Sequence, residues 1–353
     1  PWKLVVTYDD SRAKEIYEDF RCFTDAVWLY PAKDLLFYNA DIHGNLITRE
    51  RMQVLRHLIE EKSGVVVTTI DGLMDHLLPL SMVGSQILTV RQGEVIDIEE
   101  WRKRLVSLGY ERMAQVDGMG QFSIRGGIVD IFPLTEELPV RIELWGDEVD
   151  SIRSFDPESQ RSVEQLEEVV LYPATEIVLT PEQVEMGLER ITKSEKSYEK
   201  TLREQFQTEE AHRIRSIIEE FKENLKDGMA TGSLDSYLTY FCQDTVSFAE
   251  YFPAEETAVF LDEPIRLKER GEAVETEFRE SMMNRLEKGY LLPEQTSLLY
   301  SIRETLAELE TPHTVCVTGL EQKIPGQEIK NRYSIQTRNI NSYQNSFEML
   351  IGD

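Results

Sequence analysis

The amino-acid sequence predicts an α/β protein: parallel-sheet texture on both sides of a small antiparallel, β-rich α+β region, with added helices. Three observations predict it. Up to about residue 95, strand and helix signals alternate, as a parallel layer with crossover helices requires. Over 114–172 the apolar period changes from about 3.6 to about 2, the mark of antiparallel strands with one buried face. The last third returns to α/β texture, with apolar, β-branched runs at 258–261 and 314–318 that read as buried strands. The organisation read from these shifts is 1–95, an α/β part; 96–176, a β-rich domain; and 177–353, a helical segment followed by further α/β texture.

The elements follow in order. The run 2–7 is a buried strand, and its abrupt start suggests a chain excised from something longer. A helix is expected over 11–20 and a short strand over 26–29. An irregular aromatic run follows over 30–38, with Asn39 after it. Met52, Leu55 and Ile59 mark one face of a helix over 48–61. Residues 65–68 form a continuous buried strand, and a short helix starts at Asp71 and stops before Pro79. Asp97 and Glu100 are expected to form a capping box for a helix with Ile98, Trp101 and Leu105 on one face and its stop at Gly109. Val140, Ile142 and Leu144 then alternate with Arg141, Glu143 and Trp145. Gly146-Asp147 closes a hairpin with the strand 149–155. Arg125-Gly126-Gly127 is a tight turn between strands, not an RNA-binding box. Thr180-Pro181-Glu182-Gln183 caps a long helical region to about Lys226, which Asp227-Gly228 breaks. Its packing stripe is Val184, Leu188, Ile191, Tyr198, Leu202, Phe206, Ile214, Ile218, Phe221 and Leu225.

Composition narrows the function classes. The 353 residues carry 38 Lys and Arg against 65 Asp and Glu, a net charge of −27. Phosphate binding needs clustered cations, and no Lys/Arg run of the necessary length occurs, so direct work on DNA is disfavoured. Cys22, Cys242 and Cys316 are far apart, which gives neither a disulfide framework nor a zinc site and suits a reducing cytoplasm. No stretch approaches the roughly 20 apolar residues of a membrane span, and no segment reads as a signal peptide, so none is expected. None of the 19 glycines precedes Lys, so a GxxxxGK[ST] phosphate loop is missing, and Gly118-Met119-Gly120 lacks the third glycine of a dinucleotide fingerprint. Phe260-Leu261-Asp262-Glu263 has the form of an ATPase strand ending in magnesium-binding and water-activating carboxylates. Without a phosphate loop it is read as a relic. No catalytic residue, cofactor or metal ligand is expected.

Within 110–174 the chain reads Gly-Gln-Phe-Ser-Ile-Arg-Gly-Gly-Ile-Val-Asp-Ile-Phe-Pro over 120–133. Pro-Val-Arg-Ile-Glu-Leu-Trp-Gly-Asp-Glu-Val-Asp-Ser-Ile-Arg-Ser-Phe-Asp follows over 139–156. This segment resembles the UvrA-binding domain shared by the excinuclease subunit UvrB and the bacterial transcription-repair coupling factors (Mfd). The resemblance implies that the β-rich domain is an insertion in a helicase-like (RecA-like) α/β domain, degenerate in the coupling factors. Their phosphate loop would lie upstream of Pro1. UvrB carries a long tyrosine-rich DNA hairpin where this chain has only the run through Tyr38 and Asn39. That difference, Gln160-Arg161-Ser162 and the long helices from Pro181 favour the amino-terminal UvrB-like region of a coupling factor over a fragment of UvrB, an ATP-dependent DNA-damage-binding protein. The implied role is recruitment of UvrA, without enzymatic activity in this chain. RNA polymerase, DNA, ATP and magnesium would belong to carboxy-terminal domains outside it.

Alternation supplies the candidate surface. If Val140, Ile142 and Leu144 face the core, Arg141, Glu143 and Trp145 face outward; if Phe122 and Ile124 face inward, Ser123 and Arg125 face outward. Arg125, Arg141 and Glu143 are then expected on one exposed sheet face. By itself this pattern favours a solvated face with internal Arg–Glu pairs. The resemblance implies instead that Arg112, Arg125, Arg141 and Glu143 contact UvrA, with Ser123 standing where UvrB-type domains usually have Arg.

Overall fold

The computed structural model describes residues 1–33, 44–226, 231–321, 323 and 329–336. The chain forms two compact units, Pro1–Gly319 and Leu320–Asp353. The three sheets and the helical pair described below lie in the first. The described residues of the second carry no helix or strand, and Arg332 pairs with Glu321 there.

The first unit opens with β1 (Trp2–Thr7), α1 (Asp10–Arg21), β2 (Val27–Tyr30), α2 (Gly44–Glu60) and β3 (Gly64–Thr69). Next come the single turns α3 (Ile70–Leu73) and α4 (Leu80–Gly84), then β4 (Leu88–Arg91) and α5 (Ile98–Ser107). Late in the unit, β12 (Thr257–Asp262) and β13 (Thr314–Val317) join the first three strands in a five-stranded sheet of order β13-β12-β1-β3-β2. Every pairing in it is parallel. Parallel sheets bury both faces, which is why these strands read as continuous apolar runs instead of alternations. One face places Leu4, Val6, Val66 and Leu261 against Met52 and Leu55 of α2, with Leu267 and Ile302 from later helices. The other packs Val5, Val65 and Val67 against Ala13, Ile16 and Phe20 of α1.

The antiparallel region supplies β5 (Glu111–Arg112), β6 (Gln121–Arg125), β7 (Ile128–Ile131), β8 (Val140–Trp145), β9 (Glu148–Phe155), β10 (Ser162–Leu166) and β11 (Glu168–Leu171). The first six form one sheet, ordered β10-β9-β8-β7-β6-β5, antiparallel except for the short β5–β6 pair. The remaining strand, β11, pairs antiparallel with β4, from the far side of the boundary expected at residue 95. Val90, Val169 and Leu171 thereby join the same apolar core as Phe122, Ile142 and Leu105. Arg56 of α2 reaches this region by donating to the Thr135 carbonyl (3.0 Å) and to Glu136 (2.9 Å).

Helices α6 (Pro181–Glu204) and α7 (Thr208–Lys226) pair around Ile191, Leu202, Ile214, Ile218 and Phe221; the short α8 (Leu238–Phe241) adds Leu238 and Phe241. The Thr180 capping box is complete in both directions. The Asp97 box is half formed: Asp97 accepts from the Glu99 and Glu100 N–H groups, and no return bond from Glu100 is made. Between β12 and β13 run α9 (Pro264–Glu287) and α10 (Ile302–Leu309).

Three expectations need correction. Phe206 is not part of the packing stripe; it ends α6 in the left-handed region (φ 62°) and is 91% exposed. There the Gln207 N–H turns back onto the Leu202 carbonyl, the bond of a helix C-terminal cap, and the ring is thrown outward. The 314–318 run is not a buried strand, because β13 is the sheet edge and Val315 and Val317 are half exposed. Ser123 is outward by parity but buried, donating to the Ala114 carbonyl (3.0 Å) of a segment that covers it. Residues 34–39 of the aromatic run and the break expected at Asp227-Gly228 lie outside the described residues.

A buried ionic cluster joins the parts of the first unit. Arg51 of α2, wholly buried, donates to Glu176 (2.6 Å) and Asp75 (2.9 Å), and its guanidinium lies 4.3 Å from the Tyr30 ring centre. Lys33 pairs with Glu176 and with Asp235 (2.8 Å). Burial pushes the Asp75 carboxyl up to about 6, with Arg51 and Lys33 opposing it. At Glu176 burial acts the same way, but the adjacent charges of Arg51 and Lys33 outweigh it and hold the carboxyl below its usual range. Glu176 lies in the segment between β11 and α6, so the cluster clamps the exit of the antiparallel region onto the parallel layer.

Candidate protein-interaction face

The face is built by strand register. Across β6, β7, β8 and β9, one row of partners is Ser123, Asp130, Arg141 and Arg153, and the next is Arg125, Ile128, Glu143 and Ser151. Directly opposed residues share a face, so all of these project to one side of the sheet. The opposite side carries Phe122, Val129, Ile131, Val140, Ile142 and Ile152, all buried. Arg125, Arg141 and Glu143 therefore do share a face, as the alternation required.

Their side chains are engaged with one another's neighbours. Asp130 is fully buried and receives both arginines: Arg125 Nη2 donates to Oδ2 (2.6 Å), and Arg141 donates from Nε to Oδ1 (2.7 Å) and from Nη2 to Oδ2 (2.9 Å). Arg141 also lies over the Phe155 ring at 4.6 Å, donates to Gln160, and leaves only 17% of its side chain exposed. Its guanidinium is held above the ordinary arginine range, first by the hydrogen bond to Asp130. Glu143 accepts from Ser151 (3.0 Å) and from Arg153 (2.5 Å). The face holds an internal Arg–Glu pair of the kind alternation favoured, Arg153 with Glu143, and adds a buried Asp130 shared by two arginines. Arg125 differs from Arg141 in keeping 47% of its side chain in solvent with a single partner among the described residues.

Beyond the second row, at the end of β8, Trp145 is 83% exposed beside the Gly146-Asp147 turn, where Gly146 takes the positive φ (66°) expected of it. The Arg125 end of the face is closed by the Gly126-Gly127 turn. Gly126 has φ 61°, and a Cβ on Gly127 would come within 3.0 Å of the Leu144 carbonyl. Arg112 is not brought into this group. It pairs in register with Phe122 on the edge strand β5, which assigns it to the opposite parity, and it is exposed.

The ATPase-like motif is locally occupied. At the end of β12, Asp262 accepts from Thr7 Oγ1 (2.9 Å) and Arg12 Nε (3.1 Å), and Glu263 accepts from the Gly319 N–H (2.7 Å). Among the described residues no group of three or more His, Cys, Asp or Glu is placed to hold a metal ion. None of the helices searched, those of the described residues, is long and apolar enough to cross a membrane.

Residues 88–177 match the family model of the UvrB interaction domain, a span that starts with β4 and ends just past Glu176. The whole chain is 31% identical over 355 residues to the transcription-repair-coupling factor of Bacillus subtilis (strain 168), covering 99% of this chain and 29% of that protein. It is likewise 31% identical over 307 residues to the transcription-repair-coupling factor of Staphylococcus aureus (strain Mu50), covering 86% of this chain and 26% of that protein. The chain resembles the UvrB-like region of the transcription-repair-coupling factors. It spans less than a third of the length of these relatives.

The matched span holds all four candidate residues and excludes Asp262 and Glu263. Asp130, Ser151 and Arg153 complete the polar face and were not among the candidates. Asp130 had a signal: it is the one charged residue in the apolar strand Ile128-Val129-Asp130-Ile131. Ser151 and Arg153 had less, because the register shifts between Glu143 and Leu144 and simple alternation does not carry across that irregularity.

Proposed function

We propose that this chain is the UvrA-recruiting module of a transcription-repair-coupling protein and acts by protein–protein contact in transcription-coupled nucleotide excision repair. The observation that carries the reading is the polar face of β6–β9 inside the matched span, with Arg125 half in solvent and Trp145 exposed at the end of β8. An exposed arginine fork and an exposed tryptophan are the residue chemistry that dominates protein interfaces. Arg125 and Glu143 supply polar contacts to UvrA, and Arg141 braces Asp130 behind them. Arg112, on the other parity of the edge strand, contributes at the rim. The reading includes no turnover and no cofactor in this chain; what supports it is that Asp262 and Glu263 are engaged by Thr7, Arg12 and the Gly319 N–H. ATP, magnesium, DNA and RNA polymerase engage other parts of the longer protein, which works in the cytoplasm.

Titration of the chain into purified UvrA, with UvrB added as competitor, tests the reading. Saturable binding that UvrB displaces is expected, because a surface common to both proteins occupies one site. No saturation up to about 100 μM would overturn it.

A further inference from the structure

We infer that Asp130 is a positioning residue for the partner contact: it never reaches the surface, yet it sets the orientation in which Arg125 offers its guanidinium. The inference rests on the UvrA reading of this face and adds to it a buried residue on which that contact depends.

The geometry is asymmetric. Asp130 is fully buried in the middle of the sheet, flanked in register by Ser123 on one side and Arg141 on the other. Arg141 grips it through two nitrogens at 2.7 and 2.9 Å, in the side-by-side geometry that fixes a carboxylate plane as well as its position. Oδ2, which accepts from Arg141 Nη2, also takes Arg125 Nη2 at 2.6 Å, so the plane that Arg141 fixes sets where Arg125 is held. One nitrogen of Arg125 is therefore anchored inward, and its remaining donors have no other partner among the described residues while 47% of the side chain stays in solvent. A long side chain on a sheet surface ordinarily loses rotamer freedom when a partner orders it. Here that ordering is already made before the partner arrives, and preorganisation of this kind raises affinity without adding a contact. Arg141 acts one step further back: 17% exposed and stacked on Phe155, it holds Asp130, which holds Arg125.

The ionic chain also accounts for the residue types. Lysine at 125 could neutralise Asp130 but could not hold it and present a planar fork outward at once. Asparagine at 130 keeps the shape of the carboxylate and loses the charge that draws both guanidinium groups.

The test is UvrA binding by the whole chain carrying Asp130→Asn, Arg125→Ala, both together, or Arg125→Lys, each checked for its melting temperature. Asp130→Asn is expected to weaken binding about tenfold, although residue 130 makes no contact with UvrA. Arg125→Ala is expected to do the same, and the double variant to bind no more weakly than Arg125→Ala alone, because the two act through one contact. Additive losses, or unchanged binding in a folded Asp130→Asn chain, overturn the inference while leaving the UvrA reading intact. If Asp130→Asn does not fold, Arg125→Lys decides: binding reduced as in Arg125→Ala with an unchanged melting temperature upholds it, and wild-type binding overturns it. Failure of the unaltered chain to bind UvrA overturns the proposed function and this inference with it.

Discussion

Replacing Arg51 by Met removes the guanidinium shared by Asp75 and Glu176 and leaves the aliphatic volume in place. Arg51 is 0% exposed and each carboxylate side chain is 6% exposed, so water cannot take over the lost partner. Lys33 still serves Glu176 and Asp235, and Asp75 is the group left, among the described residues, without a cation in hydrogen-bonding range. Breaking a buried pair from one side costs about 3–5 kcal/mol, because a charge stays desolvated and uncompensated. The Met sulfur retains contact with the Tyr30 ring, which offsets a fraction of that. The loss depends on pH with a definite sign. The Asp75 carboxyl already sits near 6, raised by burial against the pull of Arg51 and Lys33, and without Arg51 it rises further. A carboxyl raised in the folded state is protonated there while the unfolded chain has released its proton. The deficit of Arg51→Met is therefore largest above the folded value and shrinks as pH falls towards the unfolded one. Urea unfolding followed by circular dichroism at pH 8 and pH 5 measures both effects, and Asp75→Asn added to Arg51→Met should recover part of the loss at pH 8. A loss under about 1 kcal/mol, or one equal at both pH values, would refute the argument that this cluster is a closed, mutually dependent set of buried charges.

Arg125→Ala should weaken UvrA binding by about 1–3 kcal/mol with little change in melting temperature, since the side chain is half in solvent and Asp130 keeps Arg141. A large fall in melting temperature with unchanged affinity would make Arg125 structural. Trp145→Ala should cost at least about 1 kcal/mol of binding and no stability, because 83% of the residue is exposed; competition titration against UvrB reads it. The chain should show no ATP hydrolysis above a buffer blank, and turnover lost on Glu263→Gln would contradict the relic reading of β12. A segment of residues 86–177 should fold and bind UvrA more stably than one of residues 97–177. The shorter cut deletes β4 and uncovers Val169 and Leu171, so equal melting temperatures would refute a structural role for the β4–β11 pair.

What the sequence determined by itself is whatever neighbours in the chain decide. The switch of period between α5 and β6, the Thr180 cap, the Gly146 turn and the shared parity of Arg125, Arg141 and Glu143 follow from interactions within a few residues, and each stands in the structure. The resemblance within 110–174 likewise lies in local runs. Tertiary structure alone decided which residues meet across distance. Asp130 is a hub because β7 lies between β6 and β8, bringing Arg125 and Arg141 to its two oxygens. Glu176 meets Arg51, 125 positions away, only after the antiparallel region has been laid against α2. In β4, alternation does not reveal the partner, which comes from 77 residues on, and β13 reads as buried until the sheet is seen to end there. Hydrophobic period and capping report on the few residues that share a turn or a pleat. Register, edge position and the pairing of buried charges depend on which surfaces remain once every element has packed, and no short stretch of chain contains that information.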